Sequence, residues 1–220
     1  MKLPFTPEQF FDIFRQYNLA VWPMQIMLYL LAVFALFLAV GETKYSNRII
    51  TTILAFFWLW IGVVYHLAFF SSINPAASVF AGLFVLQGIL FFISDTTPQR
   101  TWYRFHLNNY SIIGTIFIIY GIVIYPIWGY FLGHVYPQSP TFGLPCPTTI
   151  FTFGLLLWTD TRIPKYLLVI PLIWSLIGFL AAVQLGVLED TMLLIAGLVA
   201  TALIWYRDRK AGRLSPYLSS

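Results

Sequence analysis

Residues 49–70 read IITTILAFFWLWIGVVYHLAFF. His66 is the one acid, base or imidazole in this run; Lys44 and Arg48 precede it, and the uncharged Ser71-Ser72-Ile73-Asn74-Pro75 follows. A stretch this long and apolar suits the hydrocarbon core of a bilayer, which a helix crosses in roughly 20 residues. Reading outward on the same criterion gives further helices at about 20–40, 76–93, 111–133, 147–158, 166–186 and 191–206. The run at 147–158 reaches membrane length only if the chain enters near Thr141. Composition agrees: 60% of the 220 residues are hydrophobic and 9% charged, against about 25% charged in a soluble domain. The expected fold is therefore an all-α integral membrane protein with seven transmembrane helices.

Charge placement sets the expected orientation. Of the 12 lysines and arginines, all but Lys2 and Arg15 fall in the loops 41–48, 94–110 and 159–165 or in the tail from Arg207. The alternate loops 71–75, 134–146 and 187–190 carry none. Excess basic charge marks the cytoplasmic side, which predicts an N-terminus outside and a C-terminus inside. Trp102, Tyr103, Trp158, Tyr166, Trp205 and Tyr206 suit an inner aromatic belt, and Trp22, Tyr130 and Tyr136 an outer one.

Thr6-Pro7-Glu8-Gln9 reads as an N-cap, a proline in the first turn and a capping-box glutamine. Phe10, Ile13, Phe14 and Tyr17 then share one face, and Glu8, Asp12 and Arg15 another. This pattern predicts an amphipathic helix on the outer surface, serving as an anchor or as a lid over an outward-facing cavity. Glu8 and Asp12 also argue against a signal peptide. The expected organisation is one membrane domain over 1–220. It comprises an interfacial helix at 1–19, helices 1–3 at 20–93, a linker helix at 111–133, helices 5–7 at 141–206 and a cytoplasmic tail at 207–220.

Trp58-Leu59-Trp60-Ile61-Gly62 is echoed by Trp174-Ser175-Leu176-Ile177-Gly178, and Ala81-Gly82-Leu83 by Ala196-Gly197-Leu198. Trp22-Pro23-Met24-Gln25-Ile26 corresponds in order to Cys146-Pro147-Thr148-Thr149-Ile150. The collinear order suggests parallel triplets, helices 1–3 and 5–7, joined by the fourth. Such repeats occur in transporters. The arrangement resembles that of the SWEET sugar permeases in architecture alone, since their proline–glutamine loop signature is absent.

Irregular backbone at membrane depth is tolerated where protein buries it or where it lines a wet cavity. Gly143-Leu144-Pro145-Cys146-Pro147-Thr148-Thr149 promises such a place, with helix expected to begin at Pro147. Matching proline breaks in two halves point to a binding site. The candidate substrate-binding residues are Trp22, Gln25, Tyr65, His66, Cys146, Thr148 and Thr149, around a cavity between helices 1, 2 and 5. An ionisable group within a membrane helix is a functional candidate, and His66 is the clear histidine of that kind. His106 and His134 are expected in solvated loops, Asn74 and Asp190 as N-caps, and Gln87 as interhelical glue or a pathway residue. Asp95 and Asp160 read as loop partners of arginines.

Other chemistries find little support. The single cysteine excludes an intramolecular disulfide and cysteine-clustered metal sites. No lysine lies in a span for a retinal Schiff base, and one membrane histidine is too few for a bis-histidine haem. The metalloprotease, serine-hydrolase and membrane-ceramidase residue patterns are missing. No catalytic residue, cofactor, resident metal or nucleic-acid partner is expected. Cys146 and His66 alone are too few for a metal site.

Leu3-Pro4-Phe5-Thr6-Pro7-Glu8-Gln9-Phe10, Tyr17-Asn18, Ala20-Val21-Trp22-Pro23, Ile73-Asn74-Pro75-Ala76-Ala77 and Pro145-Cys146-Pro147-Thr148-Thr149 resemble a bacterial multi-pass family of unknown function, domain of unknown function 6064. The resemblance spans the chain and implies a bacterial membrane protein without supplying an activity. The expected role is an inner-membrane permease or permease-like binder of a small solute. The alternative is a membrane-embedded sensor or accessory subunit. The bilayer is the expected partner, and self-association into a homo-oligomer is compatible with the sequence.

Overall fold

A computed structural model describes residues 3–96 and 101–214, with side chains up to Ala211. Lys2, Arg100 and the side chain of Arg213, counted above in the charge bias, lie outside the described residues. Among the described residues the chain is all helix: α1 Pro7–Ala20, α2 Met24–Gly41, α3 Ser46–Ser72, α4 Ala77–Thr96, α5 Asn109–Phe131, α6 Pro145–Leu157, α7 Tyr166–Leu185 and α8 Thr191–Leu214. No strand occurs among them.

Six helices, α2, α3, α4, α5, α7 and α8, are long and apolar enough to cross a membrane. Their outward faces fit lipid. On α2, Leu30, Val33, Phe37 and Val40 are exposed, while Leu28, Ala32, Ala35 and Ala39 form the buried stripe. These are the i, i+3, i+4, i+7 spacings of two helix faces. Exposed apolar residues in such number along every long helix identify a membrane protein.

The expected seventh span differs. Helix α6 has 13 residues, about 20 Å of helix against a hydrocarbon core of about 30 Å. It begins at Pro145, two positions before the expected start. The physical reason is that the first N–H groups of a helix have no intrahelical acceptor, so prolines in its first turn forfeit no helical bond. Every α6 residue except Cys146 is buried. A helix enclosed by protein has no lipid thickness to match.

Helix α6 is the axle of the bundle, with α5, α7 and α8 packed around it. Gly114 of α5 and Gly154 of α6 let two backbones meet: a Cβ added at either would come within 2.7 Å of the other's carbonyl oxygen. Small residues permit such crossings in membranes. Trp58 of α3 donates through Nε1 to Thr152 Oγ1 (3.2 Å), and Gln87 of α4 donates to the Leu167 carbonyl of α7 (3.1 Å). Gln87 is therefore interhelical glue. The two triplets pack in different orders: α3 lies against both α2 and α4, whereas α8 lies against both α6 and α7.

Helix α1 is amphipathic as expected, with the reciprocal Thr6–Gln9 capping box. Its C-terminal end is clamped to the bundle. Asn18 Nδ2 donates to the carbonyls of Pro137 (2.7 Å) and Ser139 (2.8 Å), and Gln25 Nε2 donates to the Asn18 carbonyl (2.8 Å). The Tyr17 hydroxyl accepts from Trp60 Nε1 (2.8 Å) and donates to the Gly143 carbonyl (3.4 Å). Burial pushes the Tyr17 hydroxyl up to about 12, so it stays protonated for that donation.

Candidate functional site

A cavity of about 520 Å³ lies at the end of the bundle that lacks basic loops. That size is ordinary for small-molecule sites. Leu3, Pro4, Phe5, Phe10 and Phe14 close one wall from α1 and the segment before it. The phenyls interlock with α3: Phe5 meets Phe70 edge-on at 5.4 Å between ring centroids, and Phe10 meets it at 5.8 Å. The opposite walls come from α3, α4, α6 and α7, with Tyr125 of α5 and Asp190 at its polar end. Helix α1 thus sits over the cavity, held by its C-terminal clamp.

Two π-helical turns contribute side chains to this site. Ile61–Phe69 of α3 contains Tyr65, and Tyr120–Ile124 of α5 ends immediately before Tyr125. An i→i+5 turn inserts a residue and re-aims the side chains that follow it, and such turns recur at functional sites. Tyr65 and Tyr125 both reach the cavity wall.

Asp190 does not cap α8 as expected. Leu188–Asp190 form a 3-10 turn, which directs the Asp190 carboxyl inward, where the Tyr125 hydroxyl donates to it. Cys146 lies beside the same carboxyl. Its neighbour Glu189 is fully buried: Oε1 pairs with His134 Nδ1 at 2.6 Å, and its backbone carbonyl accepts from the Tyr120 hydroxyl at 2.8 Å. His134 is therefore not the solvated loop residue expected. It is largely buried, with Phe11 of α1 against its ring at 4.6 Å. His106 does stay half-exposed, paired with Asp160 at 3.0 Å. Asn74 does not cap α4, which begins at Ala77: its side chain accepts from the Ala76 N–H at 3.1 Å, in the turn ahead of the helix.

The seven candidate residues separate. Tyr65 and Cys146 line the cavity. His66 lies one layer behind, fully buried, with its ring centroid 4.7 Å from Phe84 and 5.1 Å from Trp174. Neither ring nitrogen has a partner among the described residues. Thr148 Oγ1 accepts from the Gly143 N–H at 3.1 Å and so holds the loop before α6. Thr149 is buried with its hydroxyl unpartnered among the described residues. Gln25 belongs to the α1 clamp, and Trp22 is 58% exposed outside the cavity. The cavity accordingly lies among α1, α3, α4, α5, α6 and α7, and no residue of α2 lines it among the described residues.

Asp190, Glu189, Tyr125 and Trp174 were not among the candidates. The available signal was Glu189-Asp190 directly before the apolar run 191–206, two acids with no basic residue nearby in sequence. No group of three or more metal-ligating acids, histidines or cysteines occurs among the described residues.

The model of a family of unknown function, DUF6064, matches residues 7–215. No curated protein and no solved structure matches the chain.

Proposed function

The chain belongs to the DUF6064 family, and we propose that it is a permease, or a permease-like binder, of a small solute. The observation that carries this reading is the aromatic cavity roofed by α1, with ionisable and thiol groups in its wall. Binding sites are concave, mostly apolar and furnished with a few convergent polar groups. Ionisable side chains at membrane depth seldom persist without a role.

In this reading the chain crosses the bilayer seven times, with α6 and the segment from Thr141 completing the short fifth crossing. The basic-loop end faces the cytoplasm of a bacterial inner membrane, and the cavity opens outward. Helix α1 acts as a hinged lid: its clamp at Tyr17 and Asn18 stays fixed while Phe5 and Phe10 lift from Phe70. The lid contact is apolar ring packing, which opens without breaking a hydrogen bond. No catalytic step and no cofactor enters the cycle.

The test is uptake by proteoliposomes containing the purified full-length protein. The expected result is saturable uptake from a pool of small labelled solutes. Phe10→Ala should raise the solute off-rate by loosening the lid while leaving folding intact. A tight binder that releases solute only to the side of entry would favour the sensor alternative. No uptake and no solute-dependent stabilisation would overturn the reading.

A further inference from the structure

We propose that the solute taken by this cavity is an apolar organic cation, an amine or quaternary ammonium, held with its charge against Asp190. The inference rests on the cavity being a solute site.

The wall chemistry is lopsided. Asp190 contributes a carboxyl, yet among the described residues no lysine, arginine or histidine lines the cavity. The histidine nearest in the acid cluster, His134, is committed to Glu189. A carboxylate removed from water without a counter-ion costs several kcal/mol in a low-dielectric site. Within the bundle, Asp190 receives the Tyr125 hydroxyl, which stabilises negative charge but does not neutralise it. A cationic ligand supplies the missing partner.

The rings point the same way. Tyr65, Phe70, Phe80 and Trp174 share the cavity with Asp190. Aromatic faces around a carboxylate are the usual surroundings of an ammonium group, which the ring quadrupoles attract. The rest of the wall, including Leu180, Ala181 and Leu185, offers only apolar contact, so the body of the solute must be apolar too.

A separate observation concerns the weak acceptor at the polar end. Trp174 is 8% exposed and lines the cavity; its Nε1 faces the Cys146 thiol and no stronger acceptor among the described residues. Both Trp174 Nε1 and Cys146 Sγ lie 3.6 Å from where a Cβ on Gly178 would stand. A Cβ there would also stand 2.7 Å from Leu193 Cδ2, so the glycine lets α8 pack against this corner. A thiol sulfur is a weak acceptor, so this indole N–H has hydrogen-bonding capacity to spare. A solute bearing an acceptor near its ammonium, such as an ether or hydroxyl oxygen, would satisfy it.

The test uses the full-length protein in nanodiscs and three probes of one shape. They are (2-phenylethyl)trimethylammonium, its uncharged carbon isostere (3,3-dimethylbutyl)benzene, and the anion 3-phenylpropanoate. Titration calorimetry is read against empty discs. The ammonium should bind, the isostere more weakly, and the anion weakest. Asp190→Asn should weaken the ammonium by about 30-fold or more and leave the isostere unchanged, while Asp190→Glu should recover part of the loss. Equal binding of ammonium and isostere by the wild-type protein would overturn the cation assignment while leaving a solute cavity standing. That comparison needs no variant to fold. Ammonium binding that is unchanged in Asp190→Asn would equally overturn it. Absence of binding by all three probes would remove the solute site itself, and this inference with it.

Discussion

Gly154→Val is expected to abolish recovery of folded protein. A Cβ at 154 would stand 2.7 Å from the Gly114 carbonyl oxygen and 2.6 Å from Ile118 Cγ1. The first of these is backbone and has no rotamer into which it can retreat. Relief therefore requires α5 and α6 to separate, and α6 is the helix around which α5, α7 and α8 pack. Overpacking ordinarily costs about 1–3 kcal/mol, and two β-branched methyls against backbone belong above that range. Separation would also pull Thr152 from the Trp58 indole and Cys146 from the cavity. Gly154→Ala should give a milder loss, seen as a lowered unfolding midpoint in detergent. Gly41→Ala, where an added Cβ meets nothing within 4 Å, should leave that midpoint unchanged. A Gly154→Val protein recovered at wild-type yield and midpoint would mean that this crossing is looser than described.

His134→Ala is expected to cost about 1–3 kcal/mol, the range for leaving a buried polar partner without its hydrogen bond. The Glu189 side chain is fully buried, and the His134 side chain is 14% exposed. Deleting the imidazole leaves Glu189 Oε1 with no partner, beside an Oε2 that already has none among the described residues. It also removes the ring against which Phe11 packs, so α1 should loosen as well. The double variant His134→Ala/Glu189→Gln should be more stable than His134→Ala alone, because the neutral amide loses less on burial than a carboxylate. Thermal unfolding of the wild type, the two single variants and the double variant in one detergent measures the coupling. Strict additivity of the two substitutions would show that the pair does not interact.

The long helices were legible because lipid imposes one rule on each of them, a run of about 20 apolar residues. Helix α6 escaped that rule because its solvent is protein. Residues 147–158 read as an undersized span, and the 13-residue helix found there is enclosed by the rest of the bundle. The capping box at Thr6 and the apolar face of α1 were likewise visible, since both are local patterns.

The site was less legible, for a different reason. Asp190 before a helix has the local signature of an N-cap, and its actual partner, Tyr125, is 65 positions away. His134 looked solvated in a loop rich in glycine and proline, because Glu189 lies 55 positions on. The prolines at 23 and 147 suggested paired entrances, but only the second lines the cavity. Cys146 and Tyr65 are legible because a Pro-Cys-Pro break and a membrane histidine mark their segments. Partners fixed by tertiary contact leave no spacing in the sequence to read.

The central claim is that a solute cavity opens outward beneath α1, and Cys146 reports on it most directly. It is the chain's single cysteine, it lines the cavity, and it alone in α6 escapes full burial. The measurement is labelling of Cys146 in intact bacterial spheroplasts by a small membrane-impermeant maleimide. The account predicts labelling from outside, slowed when the maleimide is bulky and accelerated by Phe10→Ala, which loosens the lid. Labelling only after permeabilisation would reverse the orientation, and no labelling even in detergent-opened membranes would contradict the cavity.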